Sequence, residues 1–185
     1  MITSYKDLPL GKWEEIYKLK DEEDNESTQV KLLSILSDMS EEEILNLPLN
    51  EFKSLNNLSA FLLEEPQKKQ VETEYLLGEN IYEVVSNVDE LIVSQFIDYQ
   101  TFVKDVDKYL VELIGVFLIP KGKKYNTDYD IRDAHEDIRK YLSIEDAVSL
   151  SSFFLLLSQS WLKTMETCLI KKMRKMMKQQ KKMQK

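Results

Sequence analysis

Residues 143–185 read SIEDAVSLSSFFLLLSQSWLKTMETCLIKKMRKMMKQQKKMQK, with no Gly or Pro to interrupt them. Ser143 followed by Asp146 at the third helical position is a capping-box start. From Ile144 to Ile170 apolar residues are dense, among them Val148, Leu150, Phe153, Phe154, Trp161 and Leu169. From Lys171 onward the character reverses. Lys171, Lys172, Arg174, Lys175, Lys178, Lys181, Lys182 and Lys185 carry eight positive charges, and no acidic residue offsets them. The pattern predicts one long helix in two halves. The first half is the spine on which the rest packs; the second projects and meets a partner.

Charge is therefore divided along the chain. Of the 25 basic residues eight fall in the last fifteen positions, which leaves 17 against 33 acidic ones in residues 1–170. A body of this sign repels nucleic acid, whereas the tail attracts it or another acidic surface. The 185 residues suit one domain, or one domain with a small satellite. Four Gly and four Pro are too few for a turn-rich β architecture and favour long regular elements. Cys168 is the single cysteine, so no internal disulfide forms, and an intracellular life is the simpler expectation. Its place among apolar residues makes it a small packed side chain. Met1 to Leu10 lacks the basic start and apolar core of a secretory signal. No run approaches the ~18 uninterrupted apolar residues that a membrane span needs, so no membrane-spanning segment is expected.

The N-terminal third holds a near-repeat. Leu8-Pro9-Leu10-Gly11-Lys12-Trp13 is matched by Leu47-Pro48-Leu49-Asn50-Glu51-Phe52, and each copy continues with apolar residues three and six places after its aromatic. Proline suits a first helical turn, where a missing N–H costs nothing. Two similar short helices follow, with a middle helix between them over about Ser27 to Met39. Ser40-Glu41-Glu42-Glu43 is a capping box for a further short helix, Glu41 to Leu47. The acidic run Asp21 to Asp24 reads as a solvated loop and helix start.

Glu64 to Lys69, with Pro66, is the linker candidate. Beyond it Val71, Thr73, Tyr75 and Leu77 alternate, Gly78-Glu79-Asn80 supplies a turn, and Ile81 to Val85 continues, a β-hairpin pattern. Asn87 or Asp89 caps a helical pattern over Leu91 to Leu118 that carries a break near Lys104 to Asp107 and ends at Pro120-Lys121-Gly122. Asp130 caps a helix from Ile131 to Tyr141. The expected fold is mainly α: a small N-terminal helical region over 1–64, then a short central β-hairpin and helical bundle over 70–185 that ends in the long basic helix.

Motifs for chemistry are sparse. Asn126, Asp128, Asp130 and Asp137 match positions one, three, five and twelve of a calcium loop, but Ile131 stands where such a loop needs glycine. Helix capping accounts for the same acids better. His135 is the single histidine, so a histidine-based metal site lacks partners, and its charged neighbours suggest a surface helix position. Asp98 is a candidate buried acid with nothing to pair it. No phosphate loop, nucleophile elbow or zinc motif occurs, so no catalytic residue, cofactor or metal is assigned.

Several stretches together resemble tail-assembly chaperone-like proteins of tailed bacteriophages, including phages of gut Bacteroidetes. They are Leu8 to Trp13, Val30 to Met39 with Ser40 to Phe52, Gly78 to Tyr82 followed by Gln95 to Tyr99, and Phe117 to Tyr125. The resemblance carries no catalytic signature and transfers no functional residue. It implies a non-catalytic factor in the host cytoplasm that binds a tape-measure or tube protein during tail assembly. The alternative is a structural virion protein, a connector or internal protein, whose basic tail touches packaged DNA. For the tail itself four readings stand together: a solvated helix end, a contact for a partner protein or for its own kind in a homo-oligomer, non-specific nucleic-acid binding, and membrane-surface binding. The interleaved Met173, Met176, Met177 and Met183 suit adaptable contacts.

Overall fold

The computed structural model describes residues 1–20, 25–87, 90–106 and 108–156. Within them the chain is mainly helical with one small antiparallel sheet. The helices are α1 (Leu10–Leu19), α2 (Glu26–Ser37), α3 (Glu41–Leu45), α4 (Leu49–Leu58), α5 (Val93–Phe102), α6 (Leu110–Phe117), α7 (Ile131–Tyr141) and α8 (144–156). A 3-10 turn over Ser59–Leu63 extends α4. The strands are β1 (Glu74–Leu77), β2 (Asn80–Val84) and β3 (Leu118–Pro120), in that order across the sheet. The stretch of the C-terminal segment beyond residue 156, Cys168 included, lies outside the described residues, as do Asp21 to Asp24 and Asp89.

Local chemistry sets the helix starts. Asn25 Oδ1 accepts from the Thr28 amide at 3.1 Å to begin α2. Ser40 Oγ accepts from the Glu43 amide while the Ser40 amide donates to Glu43, the reciprocal capping box that starts α3. Asp130 caps α7, and Ser143 with Asp146 starts α8. Pro9 and Pro48 stand at the N-cap positions of α1 and α4. Although the two copies of the near-repeat have the same local form, they end differently: Leu10 is buried and Leu49 is exposed.

The hairpin forms where the alternation places it. Leu77 pairs with Asn80 across a two-residue loop, and Gly78 takes the positive φ of 63° that the first position of such a loop requires. Tyr75, Leu77 and Tyr82 turn into the core. The structure over Leu91 to Leu118 corrects the sequence reading at its two ends. The helix starts at Val93, not beside Asn87, and the Gln95 side chain reaches back to the Ile92 amide at 3.2 Å. It breaks over residues 103–109, close to the expected interruption. Its end is a strand: Leu118 is already extended and pairs with Val84, so β3 completes the sheet. Pro120 has no amide to donate and sits acceptably at this sheet edge.

One main core joins the start of the chain to its end. Ile2, Leu8, Leu10 and Leu36 pack in the same cluster as Leu113, Ile138 and Leu150. The backbone stitches them, with Leu10 donating to the Leu142 carbonyl at 2.8 Å and Ile144 to that of Leu8 at 2.9 Å. A smaller cluster of Val30, Leu33 and Ile44 lies wholly within the first 64 residues. Phe154 of α8 stacks on Phe117 with ring centroids 4.2 Å apart, so the described part of α8 serves as a spine. The linker candidate has no regular structure but is anchored to α8, because the Lys69 amide donates to Ser149 Oγ at 3.0 Å and its ammonium meets Asp146 at 2.7 Å.

Candidate functional site

A groove runs between α1, the connection over residues 103–109, and the ends of α6 and α7. Its helical wall comes from positions 10, 13, 14 and 17, which lie on one face of α1. Leu10 and Trp13 form the apolar base there, Val106 and Leu110 stand opposite, and Glu14, Lys18, Lys108 and Arg139 supply charge, around a cavity of about 490 Å³. Trp13 is held by an edge contact with Tyr5, centroids 6.0 Å apart. Tyr17 carries the Lys20 ammonium over its ring at 3.5 Å. A second hollow of about 350 Å³ shares Glu14, Lys18 and Arg139 and extends the groove past Lys12.

Arg139 holds the groove's shape. Its guanidinium meets Glu14 at 3.3 Å, Glu112 at 3.4 Å and Glu136 at 3.1 Å, thereby tying α1, α6 and α7 together. Burial opposes its charge, but the three carboxylates outweigh that and raise its pKa. With its nitrogens engaged in this way, the arginine is a strut and not a free anion hook. Gly11 lets α1 approach closely: a Cβ there would stand 3.0 Å from the Arg139 carbonyl oxygen. The groove thus offers an apolar, aromatic floor with charges of both signs on its rim. That is the complement of an amphipathic helix.

The acids of the calcium template have other occupations. Asp128 accepts from the Lys124 amide at 3.1 Å, and Asp130 caps α7 and pairs with Arg132. That arginine, first through its side chain and then through its amide, lowers the Asp130 carboxyl pKa to about 2. Asp137 accepts from Tyr82 and Asn80 of the hairpin. Among the described residues no three His, Cys, Asp or Glu side chains gather as a metal site. Asp98 gains the partner that sequence could not supply, since Tyr125 Oη donates to it at 2.8 Å. Burial and then the carboxylate bonds push the phenols of Tyr82 and Tyr125 well above the usual range, which keeps both as protonated donors.

His135 corrects the sequence reading. It is half-buried and not fully exposed: its ring packs on Gly115 of α6, and its Nε2 is buried with no hydrogen-bond partner. Burial lowers its pKa despite the nearby Glu112 and Glu136.

The eight basic residues assigned to partner binding, Lys171, Lys172, Arg174, Lys175, Lys178, Lys181, Lys182 and Lys185, lie outside the described residues. The groove itself was not read from sequence. Its signal was the pair of aromatics Trp13 and Tyr17 at i and i+4, overshadowed by the stripe that continues from Trp13 to Ile16 and Leu19. No helix among the described residues is long and apolar enough to cross a membrane. Comparison with protein-family models, with curated proteins and with solved structures finds no match.

Proposed function

We propose that this chain acts by binding and not by catalysis, as an assembly factor of the phage tail-chaperone type that holds an amphipathic helix of a tape-measure or tube protein. The observation that carries the binding mode is the groove of Leu10, Trp13, Val106 and Leu110 with Glu14 and Lys108 on its rim. Apolar side chains at i and i+4 of a partner helix would seat on the floor, and its charged residues would meet the rim. The resemblance of the stretches quoted above supplies the class of partner and the host cytoplasm as the setting. The excess of acidic residues in the body keeps such a complex soluble.

The test is quantitative mass spectrometry of purified particles beside the infected-cell lysate, with the tagged chain recovered from that lysate. The expected result is abundance in the lysate, near absence from particles, and co-purification of one helical tail protein that Trp13→Glu abolishes. A fixed copy number per particle overturns the chaperone reading. The structural alternative, favoured by the eight positive charges of the tail, then predicts DNA binding that weakens steeply with salt.

A further inference from the structure

The two edges of the sheet differ in what they offer. On β3 the Phe117 carbonyl accepts from the Val85 amide, and the Lys121 amide donates to the Ile81 carbonyl. The alternate residues Leu118 and Pro120 therefore turn their backbone groups outward. The Leu118 amide is already bonded to the Ile114 carbonyl, and Pro120 has no N–H, so this edge presents no donor. The β1 edge is open. The Val84 amide donates to the Thr73 carbonyl at 2.9 Å, which directs Thr73, Tyr75 and Leu77 toward β2 and turns the N–H and C=O of Glu74 and Leu76 away from it. Among the described residues nothing pairs with these outward groups. Such an edge is a template for another strand.

The side chains beside this edge are apolar where alternation calls for polar ones. Leu76 and Ile81 stand opposite each other on the outer face, 70% and 44% exposed. No other exposed apolar pair among the described residues adjoins an unpaired strand edge. The outward carboxylates, Glu74 and Glu83, are engaged by Lys121 at 2.7 and 3.8 Å.

A second copy of β1, run antiparallel, matches these features together. With Leu76 opposite Leu76 of the second copy, each donates one backbone bond and accepts one. The Ile81–Leu76 stripe continues into the same pair of the other copy, and each pair covers the other. Glu74 falls opposite Gly78, which has no side chain, and keeps Lys121. Moving the two-fold axis to Glu74 sets carboxylate against carboxylate, and moving it to Tyr75 sets Glu74 against Leu76. Charge and apolar matching therefore select one register. An unrelated strand would satisfy the backbone groups, but the second copy also brings the apolar pair that covers this one.

We propose that β1 of one copy pairs with β1 of a second copy about a two-fold axis at Leu76, joining the two three-stranded sheets into one. The same surface serves on both sides, so the contact closes as a dimer and does not repeat. It does not depend on the function proposed above, because it uses neither the α1 groove nor a tail protein.

Sedimentation velocity of the full-length chain after nuclease treatment is expected to show a reversible monomer–dimer equilibrium with nothing larger. Salt is expected to leave it in place, since no ion pair crosses the contact. Leu76→Lys sets two ammonium groups opposite each other at the axis and is expected to weaken the dimer at least about tenfold, with circular dichroism confirming an unchanged fold. Disulfide trapping reads the register independently. In a chain carrying Cys168→Ser, which removes the single natural cysteine, Leu76→Cys places two thiols on paired strands whose Cα atoms lie about 5.5 Å apart, within the reach of a disulfide. Mild oxidation is expected to link these copies at least about tenfold faster than copies carrying Glu74→Cys, which faces Gly78. A natural chain that stays monomeric overturns the proposal, as does a dimer that dissolves in salt or that Leu76→Lys leaves intact. So does Glu74→Cys linking as fast as Leu76→Cys.

Discussion

Tyr82 Oη donates to Asp137 Oδ2 at 2.7 Å, and through this bond the hairpin is fixed to α7. Asn80 donates to the same oxygen at 2.9 Å from the turn end of β2. A two-stranded hairpin is marginal alone. Here β3 widens it and the Tyr82–Asp137 bond ties it to a helix. Tyr82→Phe is expected to cost about 1 kcal/mol, the net worth of one such bond. Asp137→Ala is expected to cost more, about 1–3 kcal/mol, because a buried phenol is left without its acceptor. The double variant should lose less than the two single losses combined. Urea denaturation followed by circular dichroism measures all three, and simple additivity would show that the two groups act independently.

Two glycines with positive φ separate backbone strain from crowding. Gly122 has φ of 72° and nothing within 4 Å of a built Cβ. Gly78 has φ of 63°, and its Cβ would fall 2.7 Å from the ring of Tyr141. Gly122→Ala should therefore cost only the left-handed penalty, about 1 kcal/mol. Gly78→Ala should cost that plus about 1–3 kcal/mol for the clash. Adding Tyr141→Ala to Gly78→Ala should bring the difference between the two sites close to zero in the same denaturation assay.

The starts of α3, α7 and α8 were legible because they rest on contacts two or three residues apart: Ser40 with Glu43, Asp130 with the Arg132 amide, and Ser143 with Asp146. The hairpin was legible through its alternation and Gly78. What escaped depends on residues far apart in the chain. Leu118 to Pro120 became a strand because Val84 was there to pair with it, and no local pattern announces that. His135 has charged neighbours in sequence, yet in space its ring meets Gly115, twenty positions earlier. Asp98 found Tyr125, and Arg139 found Glu14, across long separations. The groove was hidden for the same reason: α1 shows one wall, and the facing wall comes from residues about a hundred positions later.

Arg139 offers a test of the groove's framework. Its guanidinium is partly exposed, so screening limits the worth of each ion pair. Replacement by Lys keeps the charge but cannot reach three carboxylates on three helices at once. Arg139→Lys is expected to lower stability by about 1 kcal/mol, and Arg139→Ala by more, since Glu14, Glu112 and Glu136 then face one another without a cation. Both losses should shrink in high salt. Thermal unfolding at two salt concentrations reads this directly, and a salt-independent loss would mean that packing of the arginine stem matters more than its charge.

His135 should make stability depend on pH in the mildly acidic range. Its ring faces Gly115 and Glu112 from α6, with Glu136 and Arg139 on its own helix. Burial favours the neutral ring and lowers its pKa below the ordinary 6.5, although Glu112 and Glu136 pull the other way. The unfolded chain therefore takes up a proton first as pH falls, and the folded state loses ground. The contribution is fully present above pH about 6.5 and disappears as pH falls through the lower folded-state value. Each unit between the two values corresponds to about 1.4 kcal/mol. Urea unfolding at pH 7.5, 6.5 and 5.5 should show stability declining, whereas His135→Gln should show a flatter profile over the same range. Since Asp130 titrates at about 2, it leaves this window untouched. An unchanged slope in His135→Gln would show that the decline does not come from this histidine.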